Sequence, residues 1–368
     1  MIAIIGGGIC GLSIGWYLAR AGQAVTILER GQAGRGATWA AAGMLTPWSF
    51  LGSDEEPVFQ LHVASHAMWA NFGHELEATT DVAIDYRTEG RLFIILDHED
   101  ARGLRTRHEF NRKLGLSLEW LSGNEARRRE PHLSPTVTDA VFMPTGHVVD
   151  NRKVVLALQK AFRLAGGNLR EQSKVVEIVI EHNRVRGVRL ANQFLAAEIV
   201  VLAAGVWSRD IPGLPATVRP PVRPVKGQML ALQMPPDSPL LKHVVTGQVY
   251  LIPRSDGRLL IGTTLEEKGF DTHVTAGPIF EMLGQARRIV PAIDNLPLIE
   301  TWAGLRPASD DEAPILGETR VDGLIIATGH FRHGILLAPI TAEAISRLIL
   351  TGEVMDEIRF FTPLRFSN

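Results

Sequence analysis

Four apolar residues, Ile2 to Ile5, open the chain. A glycine run, GGGICG, follows, and then LSIGWYLARAG places Leu12, Trp16 and Leu18 with small Ala19 on one side of a helix. A second apolar run, AVTILER, ends in Glu29. The order is strand, glycine turn, helix, strand. Further along, Leu61, Ala64, Met68, Phe72 and Leu76 recur near the helical period and predict a helix over 59–78; another is expected over 99–114. Strand-like runs stand at 83–86 and 92–96. Ser122 and Glu125 have capping-box spacing, which predicts a short helix ending before Pro131. Asp150 and Asn151 are N-cap types ahead of a helical pattern from Val154 to Leu164 that stops at Gly166-Gly167. The β-type stretches 174–180, 184–190 and 198–202 are expected to return the chain to the first sheet.

Two segments, 48 to about 145 and 217 to about 300, separate the nucleotide-fold motifs instead of carrying them. The second holds the alternating runs MLALQM and QVYLIPR, a pattern of antiparallel strands with one face buried. The expected fold class is therefore α/β. A Rossmann-like dinucleotide-binding domain comprises 1–47, 146–216 and 301–368, and a discontinuous α+β substrate domain with an antiparallel sheet comprises 48–145 and 217–300.

Composition narrows the function without choosing it. With 38 basic against 40 acidic side chains, a net charge of -2 and 45% hydrophobic residues, the chain lacks the charge imbalance of a disordered segment and the basic surplus of a nucleic-acid binder. Its single cysteine, Cys10, cannot form an intramolecular disulfide, so a cytoplasmic setting is expected. Residues 1 to 19 carry no charge, yet five glycines and the lack of a basic start argue against a membrane span or signal peptide.

The glycine run carries the first chemistry. Gly6 permits a tight turn, Gly8 lets backbone approach a pyrophosphate, and Gly11 lets the helix sit close to the strand. The phosphates then rest against the helix N-terminus. Glu29, eighteen residues after Gly11, stands at a strand end, where it accepts hydrogen bonds from ribose hydroxyls. NAD and FAD share this chemistry; the small-residue segment GRGATWAAAGML, 34–45, favours the flat ring and ribityl chain of FAD. IVVLAAGVWS at 199–208 is a buried strand ending in small residues. GLIIATGHFRHGILLAPITAEAI at 323–345 reads as strand, glycine turn and a helix entered at Gly334-Ile335, whose free amides would favour a reduced, anionic flavin.

On these motifs, with AGLRP at 303–307, the chain resembles the D-amino-acid oxidase group of FAD-dependent amine and amino-acid oxidases over nearly its whole length. Within that group it is most similar to glycine oxidases, which supply dehydroglycine for the thiazole of thiamine. The resemblance implies FAD as cofactor, lying against Gly6, Gly8, Ile9, Cys10, Gly11, Glu29, Arg30, Thr38, Ala41, Ala42, Gly43, Met44, Val175, Ala203, Ala204, Gly205, Trp207, Gly329, His330, Arg332, His333, Gly334, Ile335 and Leu336. It implies that Arg306 pairs with the substrate carboxylate, that the Tyr250 hydroxyl contacts the same group, and that Arg332 is a second arginine near the substrate end of the pocket. Leu265 falls at an apolar wall position, commonly methionine in the family. His333 departs from the family's asparagine. His330 and His333 lack a third ligand at zinc-like spacing, so no metal is expected.

The implied reaction is flavin-dependent oxidation of a small amino acid or amine to an imine, with hydrolysis to a keto acid and ammonia and reoxidation by molecular oxygen to hydrogen peroxide. Sarcosine or D-amino-acid oxidation, a quinone-linked dehydrogenase of the same fold and a non-catalytic flavoprotein subunit are the alternatives. Partners implied are the substrate, oxygen, further copies of the chain (tetramers being common in the family) and a thiazole synthase receiving the imine. Neither nucleic acid nor membrane is expected.

Overall fold

The computed structural model describes residues 1–47, 56–96, 98–235 and 237–366. The start of the expected substrate segment, 48–55, and residues 367 and 368 lie outside the described residues. The opening strand Ile2–Ile5 pairs in parallel with Val25–Leu28 on one side and Ile199–Leu202 on the other. Asn168–Arg170 extends the first side, and Leu324–Thr328 followed by antiparallel Ile315–Glu318 the second, completing six strands. The central strands are buried at every position but Ile199, which is half-buried, because both faces are covered, which is why they read as continuous apolar runs. Helices Ile9–Arg20, Asn151–Leu164 and Ala338–Thr351 cover one face.

A three-stranded antiparallel sheet, Val175–Glu181, Arg184–Leu190 and Gln193–Ala196, covers the other. Here the structure corrects the sequence reading: the stretches 174–180 and 184–190 do not rejoin the first sheet, and only Ile199–Leu202 does. His182 and Asn183, both at positive φ, form a two-residue loop that folds the first two strands into a hairpin.

The helix expected over 59–78 spans Glu56–Thr80 and packs on the nucleotide side, not within the substrate unit. Its Leu61, Trp69, Phe72 and Leu76 share a core with the three helices above. Ser65 Oγ and Trp69 Nε1 both donate to the Leu336 carbonyl, at 2.7 and 2.8 Å. The run 83–86 forms no strand, since Asp81 and Asp85 adopt positive φ on either side of buried Ile84. The capping box at Ser122 is formed, and the helix it starts is Gly123–Arg129. Asp150 caps the helix Asn151–Leu164 by accepting from the Arg152 and Lys153 amides.

The second sheet has eight strands, in the order Leu298–Ser309, Val222–Gln233, Arg258–Gly262, Tyr250–Pro253, Val244–Thr246, Arg91–Ile95, Asp139–Met143 and Glu119–Ser122. One face is buried under helix Ala276–Ile289, whose Met282, Ala286 and Ile289 pack on Leu92, Leu230, Leu251 and Ile261. The opposite face, with Met229, Ala231, Ile252, Leu260 and Trp302, packs against Ala40, Ala42 and Met44 of the nucleotide unit. A division at 301 falls inside the strand Leu298–Ser309, which pairs with Val222–Gln233 along its length. Sheet membership places that crossing after Ser309.

Phe162 is fully buried in the helical layer, and its ring fills the space a side chain at Gly167 would take, 2.0 Å from the Cβ position. Phe162→Ala should cost about 3–5 kcal/mol of unfolding free energy, measured by urea denaturation of the holoprotein.

Candidate active site

The glycine turn is built by exclusion. Gly6 has φ +109, and a Cβ there would lie 2.4 Å from the Ala203 carbonyl oxygen; one at Gly11 would lie 2.0 Å from the Gly6 carbonyl oxygen. Only glycine brings the strand end, the turn and the helix this close. Among the described residues the Gly8 and Cys10 amides have no acceptor, whereas the Ile9 amide donates to Thr38 Oγ1 at 3.1 Å. The Glu29 carboxylate is fixed by the Gly7 and Gly31 amides at 2.9 and 2.8 Å. Arg30 lies 3.5 Å over the Trp207 ring, and Phe270, from the far side of the cleft, stacks on Trp207 with ring centroids 6.2 Å apart.

Gly6, Gly8, Ile9, Cys10, Glu29, Arg30, Thr38 and Trp207 line one cavity of about 730 Å³, within the usual size range of small-molecule sites. Ala41, Ala42, Gly43 and Met44 border it, as do Val175, Ala203, Ala204 and Gly205. The segment 38–44 is held by side chains that sequence reasoning missed. Asn151, read there only as a cap type, donates through Nδ2 to the Thr38 and Trp39 carbonyls. Trp302 Nε1 donates to the Ala40 carbonyl at 3.1 Å. Buried Arg254 donates to the Val149 and Ala42 carbonyls at 2.6 and 2.9 Å, and burial pushes its pKa down to about 10. None of the three belongs to a local motif, so only the assembled fold reveals them. Gly304 lies so close to Ala40 that a Cβ would fall 2.2 Å from the Ala40 methyl.

At the opposite end of the cavity stand Tyr250 and Arg306. Arg306 Nη2 donates to Thr263 Oγ1 at 2.8 Å, and Nη1 to the Lys226 and Thr264 carbonyls, each at 3.2 Å. All three acceptors are neutral, and among the described residues no carboxylate pairs with Arg306. Burial lowers its pKa, and neighbouring Tyr250 opposes the shift. Burial raises the Tyr250 pKa, against the pull of Arg306, so its hydroxyl keeps its proton. Gly227 makes room for the fork, since a Cβ there would meet Arg306 Nη2 at 2.3 Å. A guanidinium taken from water without a counter-ion is a built demand for an anion.

The HFRHG turn closes the third side. His330, Arg332, Gly334 and Ile335 border the cavity, whereas Gly11, Gly329, His333 and Leu336 do not. The helix begins at Ala338, later than the expected entry at Gly334-Ile335, because Phe331 at φ +45 and the bonds from the Leu337 amide to His333 and from the Ala338 amide to Ile335 form a separate turn first. Even so, the Gly334, Ile335 and Leu336 amides have no acceptor among the described residues. Arg332 is half-exposed and lies 3.8 Å from Glu312. Leu265, expected on the apolar wall, is 64% exposed and does not border the cavity. Burial holds His330 at a pKa of about 4, with Nε2 3.0 Å from Thr341 Oγ1, and raises the Cys10 thiol to about 12. His333 is lowered by burial, by His62 and by Arg332; the His62 and His333 ring centroids are 4.1 Å apart.

Free amides at two turns, a glycine cradle, a strand-end carboxylate and an unpaired guanidinium fit a dinucleotide at one end and a small carboxylate at the other. Together they define the class of dinucleotide-binding proteins whose cleft also offers a site for an anion. Residues 1–348 match the FAD dependent oxidoreductase family, and the chain belongs to it. A glycine oxidase from Geobacillus kaustophilus is 33% identical over 368 residues, 99% of this chain and 96% of that protein. The crystal structure of glycine oxidase from the same organism matches with a TM-score of 0.92 at 32% identity, covering 100% of this chain and 99% of that one. A bifunctional protein ThiO/ThiG from Synechocystis sp. is 36% identical over 371 residues; the match covers 99% of this chain and 54% of that relative, so the chain spans about half its length.

His62 and His330 ordinarily titrate near 6.5 and are held near 4 by burial. The unfolded chain therefore takes up protons that the folded one refuses as pH falls below about 6.5, and stability is lost progressively toward about pH 4. Urea midpoints of the holoprotein should fall between about pH 7 and about pH 5, and His62→Phe should make that decline shallower.

Proposed function

We propose that the chain catalyses the FAD-dependent oxidative deamination of glycine and other small amino acids or amines, yielding imine or glyoxylate, ammonia and hydrogen peroxide. The observation that carries this reading is Arg306, a guanidinium on the cavity wall beside the Tyr250 hydroxyl with no carboxylate of its own. The glycine oxidase relatives support the substrate, and the ThiO/ThiG relatives support delivery of the imine to a thiazole synthase for thiamine. No described helix is long and apolar enough to cross a membrane. We place the enzyme in the cytoplasm, on the single unpaired cysteine, and as a homo-oligomer, a state that exposed apolar side chains such as Phe280 and Phe360 would serve.

The residues that would hold the cofactor are Gly6, Gly8 and Cys10 at the phosphates, Glu29 at a ribose, residues 40–44 and 203–205 along its length, and the 330–335 turn at its ring. FAD, when bound, supplies the two-electron acceptor and returns the electrons to oxygen. The chain's part is positioning. Arg306 takes the substrate carboxylate in a two-pronged grip, and Tyr250 donates to the same group. The carboxylates on the cavity wall, Glu29 and Asp210, belong to stretches assigned to the dinucleotide, and His330 is neutral at physiological pH. No described side chain at the substrate end is thus poised as a general base. Orientation and exclusion of water carry the rate.

Glycine added anaerobically to the purified yellow protein should bleach the flavin absorbance, and readmitted air should yield one peroxide per turnover; a protein that bleaches without yielding peroxide is a dehydrogenase. Arg306→Ala should lower kcat/KM by about 2–5 kcal/mol while FAD stays bound, read by steady-state kinetics and flavin absorbance. Parental kcat/KM in that variant would remove Arg306 from the site.

A further inference from the structure

The three acceptors that fix the Arg306 fork share one feature: each lies on the segment 263–275 or on the strand that clasps it. This segment links strand Arg258–Gly262 to helix Ala276–Ile289 without regular structure of its own. It is tied to strand Val222–Gln233 by Lys226 and Gln228. The Lys226 amide donates to the Glu266 carbonyl, and the Glu266 amide to the Lys226 carbonyl, at 2.9 and 3.0 Å. Gln228 Nε2 donates to Glu266 Oε1 and Thr275 Oγ1, at 2.9 and 3.0 Å, and its Oε1 accepts from the Thr275 amide at 2.8 Å. The Gln228 amide donates to Thr264 Oγ1 at 2.8 Å.

At the centre is an ion pair with very unequal exposure. Lys226 is 1% exposed and donates to Asp271 Oδ2 at 2.6 Å, whereas the Asp271 side chain is 34% exposed. A buried ammonium is tolerated only with its counter-ion in place, so the segment must keep Asp271 where Lys226 needs it. Lys226 Nζ thus secures the far part of the segment, while its own carbonyl and those of Gln228 and Thr264 order the near part. Thr263 Oγ1 donates to the Gln228 carbonyl at 3.1 Å while accepting from Arg306.

We propose that Lys226 and Asp271 are positioning residues for the reaction: their ion pair locks the 263–275 strap, and the strap aims the Arg306 fork at the substrate carboxylate. The inference rests on the reading of Arg306 as the carboxylate anchor. Neither residue borders the cavity, so both act through Thr263, Thr264 and the fork. Misdirecting the fork weakens capture of the substrate carboxylate, so the effect appears in carboxylate affinity and in KM, and kcat falls as far as the bound substrate is misaligned.

The test uses the FAD-loaded protein with acetate as the simplest carboxylate probe, titrated by the change in flavin absorbance, alongside glycine kinetics normalised to bound flavin. Asp271→Asn, a change at a partly exposed site, should weaken acetate binding and raise KM for glycine by about tenfold or more, any fall in kcat reporting misalignment of the bound substrate, with FAD occupancy unchanged. Asp271→Glu should recover most of the loss. Lys226→Met should reproduce the KM effect; where that variant fails to fold, the Asp271 pair decides. Parental acetate affinity and KM in Asp271→Asn, or a loss found only as lower FAD occupancy or melting temperature, would overturn the proposal. Arg306→Ala run in parallel separates the two readings: if it binds acetate as tightly as the parent, the anchor assignment fails, whatever Asp271→Asn shows.

Discussion

A guanidinium held mostly out of water with only neutral acceptors around it is the constraint from which the rest of the site follows. Arg306 forfeits hydration and receives in exchange two carbonyls and a hydroxyl, which satisfy hydrogen-bond geometry and leave the charge without a carboxylate in contact. A carboxylate entering the cavity supplies the missing term. The fold maintains this deficit by glycine at 227, which leaves the fork its space, and by turning the nearest described carboxylate, Glu266, to Gln228 and Thr264 instead of to the fork. The strand that carries Arg306 also carries Trp302 and Gly304, so the element that presents the guanidinium presses on the segment 38–44.

Burial also suppresses charge on groups along the glycine turn and the 330–335 turn. Cys10, His330 and His333, which could each ionise in water, are shifted toward their uncharged forms. With those side chains uncharged, the turn offers the cavity the amides at 334 and 335 and the Arg332 guanidinium. His333, which stands where the family pattern has asparagine, contributes through its carbonyl to the Leu337 amide and through its ring to His62.

What could be read from the residues was whatever depends on neighbours in sequence. The glycine spacing, Glu29 at its strand end, and the Asp150 and Ser122 caps are local, and they appear as expected. The later motifs depended on family likeness: AGLRP and VYLIPR do bring Arg306 and Tyr250 to one cavity, while Leu265 turns outward and Leu336 spends its carbonyl on Ser65 and Trp69. The misplacements have long-range causes. Nothing in the run 174–190 tells a hairpin on the far face from a pair of strands in the parallel sheet except the positive φ of His182 and Asn183. Helix Glu56–Thr80 carries an apolar stripe that fits either unit, and only the Leu336 carbonyl shows which one it serves. Asn151, Arg254 and Trp302 converge on 38–44 from three distant stretches, a meeting no spacing encodes.

The contact between Gly304 and Ala40 has a consequence for how molecules come and go. With the strand carrying Arg306 seated against the cofactor segment at less than a methyl's clearance, and with Trp302 and Arg254 bonded to the same segment, the two lobes are interlocked where a hinge would have to open. Swinging them apart would break these bonds and strip the buried face between the sheets. Traffic is therefore left to local rearrangement at the rim, and the spacing between the Arg306 strand and the segment 38–44 is fixed by the scaffold itself.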